Sequence, residues 1–425
     1  MGGTRVSWHS QNISLAATRP GKLRFAMKPI SVPPSRKLSL SELAAEPFRL
    51  FFPAAVVAGI LGVAVWPLYF GGLLSMYPGA GHTRLMGQGF FGGFIVGFLG
   101  TALPRMLSTR PLPAGLIGWL LVCFGVFTGG NFLGQTALAD AAFLTLLLSF
   151  SAALGVRLWQ RRDLPPPGFV LVALAFVCGL AGAVIGLLNA WVELDPYWLV
   201  LRPLLAYQGF VLLPVLGVGG FILPRFLGLK NRQDFPEALK PSRAWVLRAL
   251  FALSAGSVIL ASFILEVGGW YRTAYLVRFV AAAGYLLSEV PVHRAGWSGG
   301  AVSWTLRVGI GLVLLGLLSV AVFPFYRVAL LHILLVGGLG VITLVVATRV
   351  VFGHSGNVSL LAAPNRWLWV ALGLILLGMA TRISGDFLPH IMISHYNYGA
   401  LCWVLGIGLW AWKVLPKVLV PDPEK

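Results

Sequence analysis

The chain has 425 residues, of which 58% are hydrophobic and only 11% charged, with a mean hydropathy of +0.85. A soluble protein carries about a quarter charged side chains, so this composition excludes an ordinary soluble domain and defines a polytopic α-helical membrane protein. The net charge of +19 could suggest a nucleic-acid partner, but its placement assigns it to membrane topology instead, and no nucleic acid is expected.

Residues 1–49 are rich in Ser, Pro and basic side chains, hold no acid before Glu42 and contain no apolar run. They read as a disordered basic cytoplasmic tail without a cleavable signal, and Met27 is an alternative start to Met1. From there a single transmembrane domain, 50–420, divides at polar and Pro/Gly breaks into about twelve predicted spans. These are 50–74, 85–107, 113–134, 137–158, 168–190, 198–224, 245–267, 271–289, 302–323, 326–351, 367–386 and 394–420.

The first span opens on Glu46-Pro47-Phe48-Arg49-Leu50-Phe51-Phe52-Pro53, a charged and aromatic interface. The second, from His82 to Arg105, is the organising helix. His82 and Met86 are four apart and therefore share one helix face, where the helix meets the outer water layer. Spans three and four read as featureless and are joined by a short turn through Asn131 and Gln135, an antiparallel hairpin. Pro165-Pro166-Pro167-Gly168 then breaks the chain.

A second copy of the organising helix follows 120 residues on. Gln88-Gly89-Phe90 and Leu103-Pro104-Arg105 return as Gln208-Gly209-Phe210 and Leu223-Pro224-Arg225, and nine of the twenty positions from 88 to 107 are identical, against about two expected by chance. A third copy matches by position alone: His332 lies as far before Arg349 as Gln88 before Arg105, a helical distance of about 25 Å, close to one hydrocarbon thickness. Arg84, Arg202 and Arg327 precede the three polar residues. The expectation is three repeats of four helices, about 50–160, 168–290 and 300–420.

Farther along, Arg278 lies inside the eighth span, where it is costly unless paired. The last two spans enclose Arg382, Asp386, His390 and His395, with Arg382 and Asp386 spaced to pair with each other. Arg105, Arg110, Arg157, Arg161, Arg162, Arg225, Arg349, Lys413 and Lys417 all fall in alternate loops, which puts both termini on the cytoplasmic side. Cys123, Cys178 and Cys402 lie within spans with no Cys-x-x-Cys pair and read as packing residues.

No phosphate-binding loop, nucleophile elbow or His-Glu-x-x-His motif is present, and the glycines between Gly89 and Gly100 read as helix-packing residues. The remaining chemistry at membrane depth is imidazole, thioether, amide and guanidinium. Histidine is the common ligand of haem iron and copper, and Met a softer partner. Candidate cofactor residues are therefore His82, Met86 and His332, with His390 and His395 as further metal-ligand candidates; the competing reading is that each His bonds a backbone carbonyl and fixes packing. His354, in a Gly-His-Ser-Gly loop, reads as a cap. Gln88 and Gln208 read as interhelical hydrogen-bonding amides, and Arg105, Arg225 and Arg349 as interface anchors.

Several of these stretches together resemble the NnrS family, haem- and copper-containing membrane proteins linked to nitric oxide resistance and denitrification. Glu46 to Pro53 resembles that family's Pro-Phe-Arg-x-Phe-Phe start. His82 to Pro104 resembles its second helix, Gly219 to Pro224 a Gly-Gly-Arg-x-Ile-Pro segment, and His332 to Gly356 its His-x-x-x-x-Gly-x-x-Gly…Arg-x-x-x-Gly-His-x-Gly run. Of the family's His-x-His-Glu-Met the chain keeps His82 and Met86, while Arg84 and Leu85 replace the second His and the Glu. Phe221 stands for an Arg, and Gln208 occupies a place without a His.

The resemblance implies a divergent bacterial inner-membrane member that binds haem or copper, senses or resists nitric oxide, and has the lipid bilayer as its surroundings. Threefold four-helix organisation is also similar to the twelve-helix central subunit of haem-copper oxidases. No catalytic turnover is read from the sequence. The alternatives are a twelve-helix secondary transporter, which should show paired intramembrane carboxylates, and a cofactor-free membrane scaffold.

Overall fold

The computed structural model describes residues 38–296, 300–361 and 363–422. Residues 1–37 of the expected tail lie outside them. Its last part is ordered: α1 (Leu40–Ala45) starts on a Ser39–Glu42 capping box, in which the Ser39 hydroxyl accepts from the Glu42 amide and the Glu42 carboxylate from that of Ser39.

The described residues then form α2 (Phe48–Phe70), α3 (Gly79–Met106), α4 (Ala114–Phe132), α5 (Thr136–Trp159), α6 (Phe169–Leu188), α7 (Pro196–Phe226), α8 (Arg243–Val267), α9 (Tyr271–Glu289), α10 (Ala301–Val322), α11 (Pro324–His354), α12 (Arg366–Phe387) and α13 (Pro389–Leu419). Eleven of these are long and apolar enough to cross a membrane. The exception among the twelve predicted spans is α9. It is a helix, but Arg272, Arg278 and Glu289 depress its hydropathy. No strand occurs among the described residues.

Consecutive helices pack in an order that recurs along the chain. α2 packs on α3, α6 on α7 and α10 on α11, while α4–α5, α8–α9 and α12–α13 form hairpins. α5 continues onto α6, α9 onto α10, and α13 returns to α2, closing the ring of contacts. The α4–α5 turn is three residues long, 133–135, with Gly134 at φ +77°, a left-handed conformation that disfavours any side chain with a Cβ.

α3, α7 and α11 share an unusual internal feature. Each contains a run of wide, i→i+5 hydrogen-bonded helix, at Leu85–Phe91, Leu204–Gly209 and Ile333–Gly340. Such turns insert an extra residue into the helical register and are frequent at functional sites. The helix packed against each wide turn approaches it through a glycine. A Cβ on Gly62 would come within 2.9 Å of Leu85, one on Gly182 within 2.8 Å of Ala206, and one on Gly316 within 2.5 Å of the Leu334 nitrogen. Farther along the bundle the three helices, with Phe52 of α2, line a partly open apolar cavity of about 70 Å³, at Phe94 and Phe98, Val215 and Val218, and Ile342 and Val346.

Candidate functional site

The wide turns place polar side chains at one end of the bundle, the end holding His82. His82 lies in the first turns of α3, where the lack of a Cβ on Gly62 lets the two helices close. Its Nδ1 sits 2.7 Å from the Gly62 carbonyl oxygen of α2. Met86, one turn on, meets the same glycine, its Sδ 3.3 Å from where a Cβ would stand. The expected shared face of His82 and Met86 is therefore a face towards α2.

His332 ends the first turns of α11, and its Nδ1 lies 2.8 Å from the Val328 carbonyl oxygen. A carbonyl oxygen only accepts, so in both residues Nδ1 carries the proton and Nε2 keeps the lone pair. The two rings come together, with centroids 6.3 Å apart and planes inclined by 16°.

Two imidazoles sharing a metal at about 2.0 Å from each nitrogen stand with centroids roughly 6 Å apart, and an Nδ1–H donated to a carbonyl is the usual way such a ligand is oriented. The spacing of the two rings thus suits a bis-imidazole site. The hydrogen bond anticipated as the competing reading is also formed, through the nitrogen that a metal would not use.

The side chains around this pair come from helices far apart in sequence. Trp66 of α2 meets the His82 ring edge-on at 6.0 Å and the Tyr396 ring of α13 at 5.2 Å. The Tyr396 hydroxyl donates to Asp386, which also accepts from Arg382 at 2.7 Å, and the Arg382 guanidinium lies 3.8 Å over the Tyr396 ring. The expected Arg382–Asp386 pair therefore forms and joins the histidine neighbourhood. His390 is exposed; His395 turns its Nδ1 back to the Ile391 carbonyl oxygen at 3.1 Å. Neither has a described contact with His82 or His332.

The two glutamines differ. Gln208 is fully engaged: its side-chain oxygen accepts from Arg278 at 2.5 Å and its amide donates to the Tyr275 hydroxyl at 3.1 Å. Arg278, completely buried in α9, is paired with Glu266 of α8 at 2.9 Å and donates to Ser262. Gln88 is equally buried, yet neither amide atom has a partner among the described residues.

A buried ion pair that sequence reading passed over lies nearby. Asp140, in the span read as featureless, bridges Arg84 at 3.0 Å and Arg202 at 3.1 Å. The signal was one carboxylate inside an apolar run. Asp140 and Glu266 are buried acids of membrane-length helices, but each faces guanidinium groups rather than another carboxylate.

At the opposite end, the three arginines are not equivalent. Arg105 binds Glu46 and the His354 ring, Arg225 pairs with Asp234 at 3.1 Å, and Arg349 lies 5.2 Å over Phe226. His354 is the last residue of α11 rather than part of a loop, and its Nδ1 lies 3.1 Å from Glu46 Oε1. Glu46, His354 and Asp422 bring their ligand atoms within 4.8 Å of one another, a candidate metal-binding triad. Both Glu46 oxygens, however, already hold guanidinium groups, Oε1 that of Arg105 and Oε2 that of Arg49.

An all-helical bundle with eleven membrane-length helices and a pair of facing imidazoles defines a multi-pass membrane protein with a candidate metal site. The profile of the family described as NnrS protein matches residues 42–421, nearly the whole chain. The chain belongs to the NnrS family. A comparison with curated proteins gives no match.

Proposed function

We propose that this protein is a bacterial inner-membrane member of its family that holds haem or copper between His82 and His332, and that it serves the response to nitric oxide and nitrosative stress. The observation that carries the reading is the pair of near-parallel imidazoles, delivered by α3 and α11, each with Nδ1 anchored on a carbonyl. His82 Nε2 and His332 Nε2 would be the ligand atoms, and Met86 offers a thioether one turn away, suited to copper. Such a centre supplies electron exchange and binding of small diatomic ligands. The chain's part is to orient the two rings through the Gly62 and Val328 carbonyls and to set Trp66 and Tyr396 beside them.

The recurring packing order and the three wide turns support three four-helix repeats arranged around α3, α7 and α11, similar to the central subunit of haem-copper oxidases. In this reading His82 and His332 come from corresponding helices, and Gln88 and Gln208 take the place of His332 on α3 and α7. The alternating basic loops support cytoplasmic termini, which places the histidine pair on the outer side.

The test is an optical spectrum with metal analysis of the purified protein. A Soret band or stoichiometric copper is expected, and it should be lost in His82→Ala/His332→Ala while the protein still folds. Undiminished metal in that variant would refute the site, and a colourless, metal-free wild type would favour a carrier or scaffold.

A further inference from the structure

We propose that α3, α5 and α7 enclose a binding site for a small, hydrated monovalent anion beside Arg84 and Arg202. This proposal does not depend on the histidine centre. Its first support is charge balance. Two guanidinium groups share a single carboxylate: Asp140 is the only acid bridged to either Arg84 or Arg202 among the described residues. The side chains are 8%, 15% and 1% exposed for Arg84, Arg202 and Asp140, so one positive charge is left over in a setting with little water to screen it. An anion would neutralise it.

The second support is the fully buried Gln88. Residues 84, 88 and 92 follow one another along one face of α3. At the top of that face Arg84 reaches Asp140 of α5. At the bottom, a Cβ on Gly92 would meet Phe210 of α7 at 3.4 Å and Phe143 of α5 at 3.7 Å. Gln88 therefore lies between the charged triad and a floor made by the Phe143 and Phe210 rings, whose centroids are 5.8 Å apart. Its amide nitrogen and oxygen, like Arg84 Nε, have no partner among the described residues. A buried amide left unpaired costs about 1–3 kcal/mol, and native proteins rarely carry one.

Gln208 supplies the internal comparison. At the matching place of the sequence pattern its amide is satisfied by Arg278 and Tyr275, and the guanidinium there is neutralised one-to-one by Glu266. Around Gln88 both conditions fail together: the amide is unpaired and the charge is unbalanced. A hydrated anion meets both. The Arg84 Nε–H and the Gln88 amide N–H donate to the anion, while its water donates to the Gln88 oxygen. Chloride, bromide and nitrate are anions of this charge and kind.

The experiment follows the melting temperature of the purified full-length protein during titration with sodium bromide, replaced by sodium gluconate at constant ionic strength. Wild type should show a saturable stabilisation by bromide that gluconate does not give. In Gln88→Leu, which removes an unpaired amide and should fold, the bromide midpoint should rise at least tenfold. Arg84→Gln should abolish the response by removing the excess charge. A bromide curve that superimposes on gluconate, or an unchanged midpoint in Gln88→Leu, overturns the proposal, whether or not Arg84→Gln folds.

Discussion

A charged side chain in the middle of a helix bundle is tolerated only as part of a satisfied set, and Arg278 shows how complete that set has to be. Its guanidinium binds Glu266, Ser262 and the Gln208 oxygen and lies 4.4 Å over the Tyr275 ring. Removing one member leaves the opposite charge buried and alone, which costs about 3–5 kcal/mol, whereas replacing both by apolar groups is far milder. Glu266→Gln should therefore lower the thermal midpoint sharply, and Glu266→Met/Arg278→Met should recover most of the loss. Equal damage in the single and double variants would show that the pair is not the stabilising unit. From the sequence, Arg278 was recognisable as a residue in need of a partner, but not which of the surrounding elements supplied it. Asp140 escaped notice because a lone acid near a span end resembles an interfacial residue until two arginines from other helices are seen to converge on it.

At the scale of helices, the wide turns in α3, α7 and α11 join sequence to site. By inserting a residue into the register they offset the polar side chain of each helix from the apolar seam below it. That seam depends on small residues. A Cβ on Gly93 would stand 2.7 Å from the Ala55 Cβ and 3.2 Å from its Cα, so α2 and α3 approach at backbone distance there. Gly93→Leu should force them apart. The expected cost is about 1–3 kcal/mol, seen as a lower thermal midpoint. If the histidine centre binds metal, a weakened Soret band or copper content should accompany it, because His82 is registered through Gly62 on the same seam. Nine shared positions of twenty in the sequence marked residues 88–107 at the end of α3 and 208–227 at the end of α7 as similar stretches. The widened turns were not legible, since a helical pattern of apolar residues leaves a single inserted residue unmarked.

Across the whole molecule, the two ends of the membrane domain are tied to each other. Arg49, at the start of α2, donates to the carbonyl oxygens of Val418 at 2.5 Å, Val420 at 2.8 Å and His354 at 3.1 Å, and also pairs with Glu46. The Phe48 amide is capped by the Thr101 hydroxyl of α3. These bonds close the ring where α13 meets α2. Ending the chain after Val414 would strip Arg49 of two carbonyl partners while leaving every membrane-length stretch in place. The truncated protein should insert normally yet melt earlier and be cut more readily by protease in detergent. Unchanged melting would mean that the ring closes through helix packing alone.

The sequence by itself determined that the chain is helical and membrane-embedded, because the cost of unsatisfied backbone in lipid turns apolar length directly into helices. It also determined the family, through motifs at fixed spacing, and singled out His82 and His332 as polar residues near the start of two spans. Only the tertiary structure decided that their rings lie near-parallel at 6.3 Å, that Gln208 is satisfied while Gln88 is not, and that His354 serves the junction of α2 with the end of α13. Those outcomes depend on which helices become neighbours and how they are rotated. Both are set by close packing between segments hundreds of residues apart, to which local periodicity is blind.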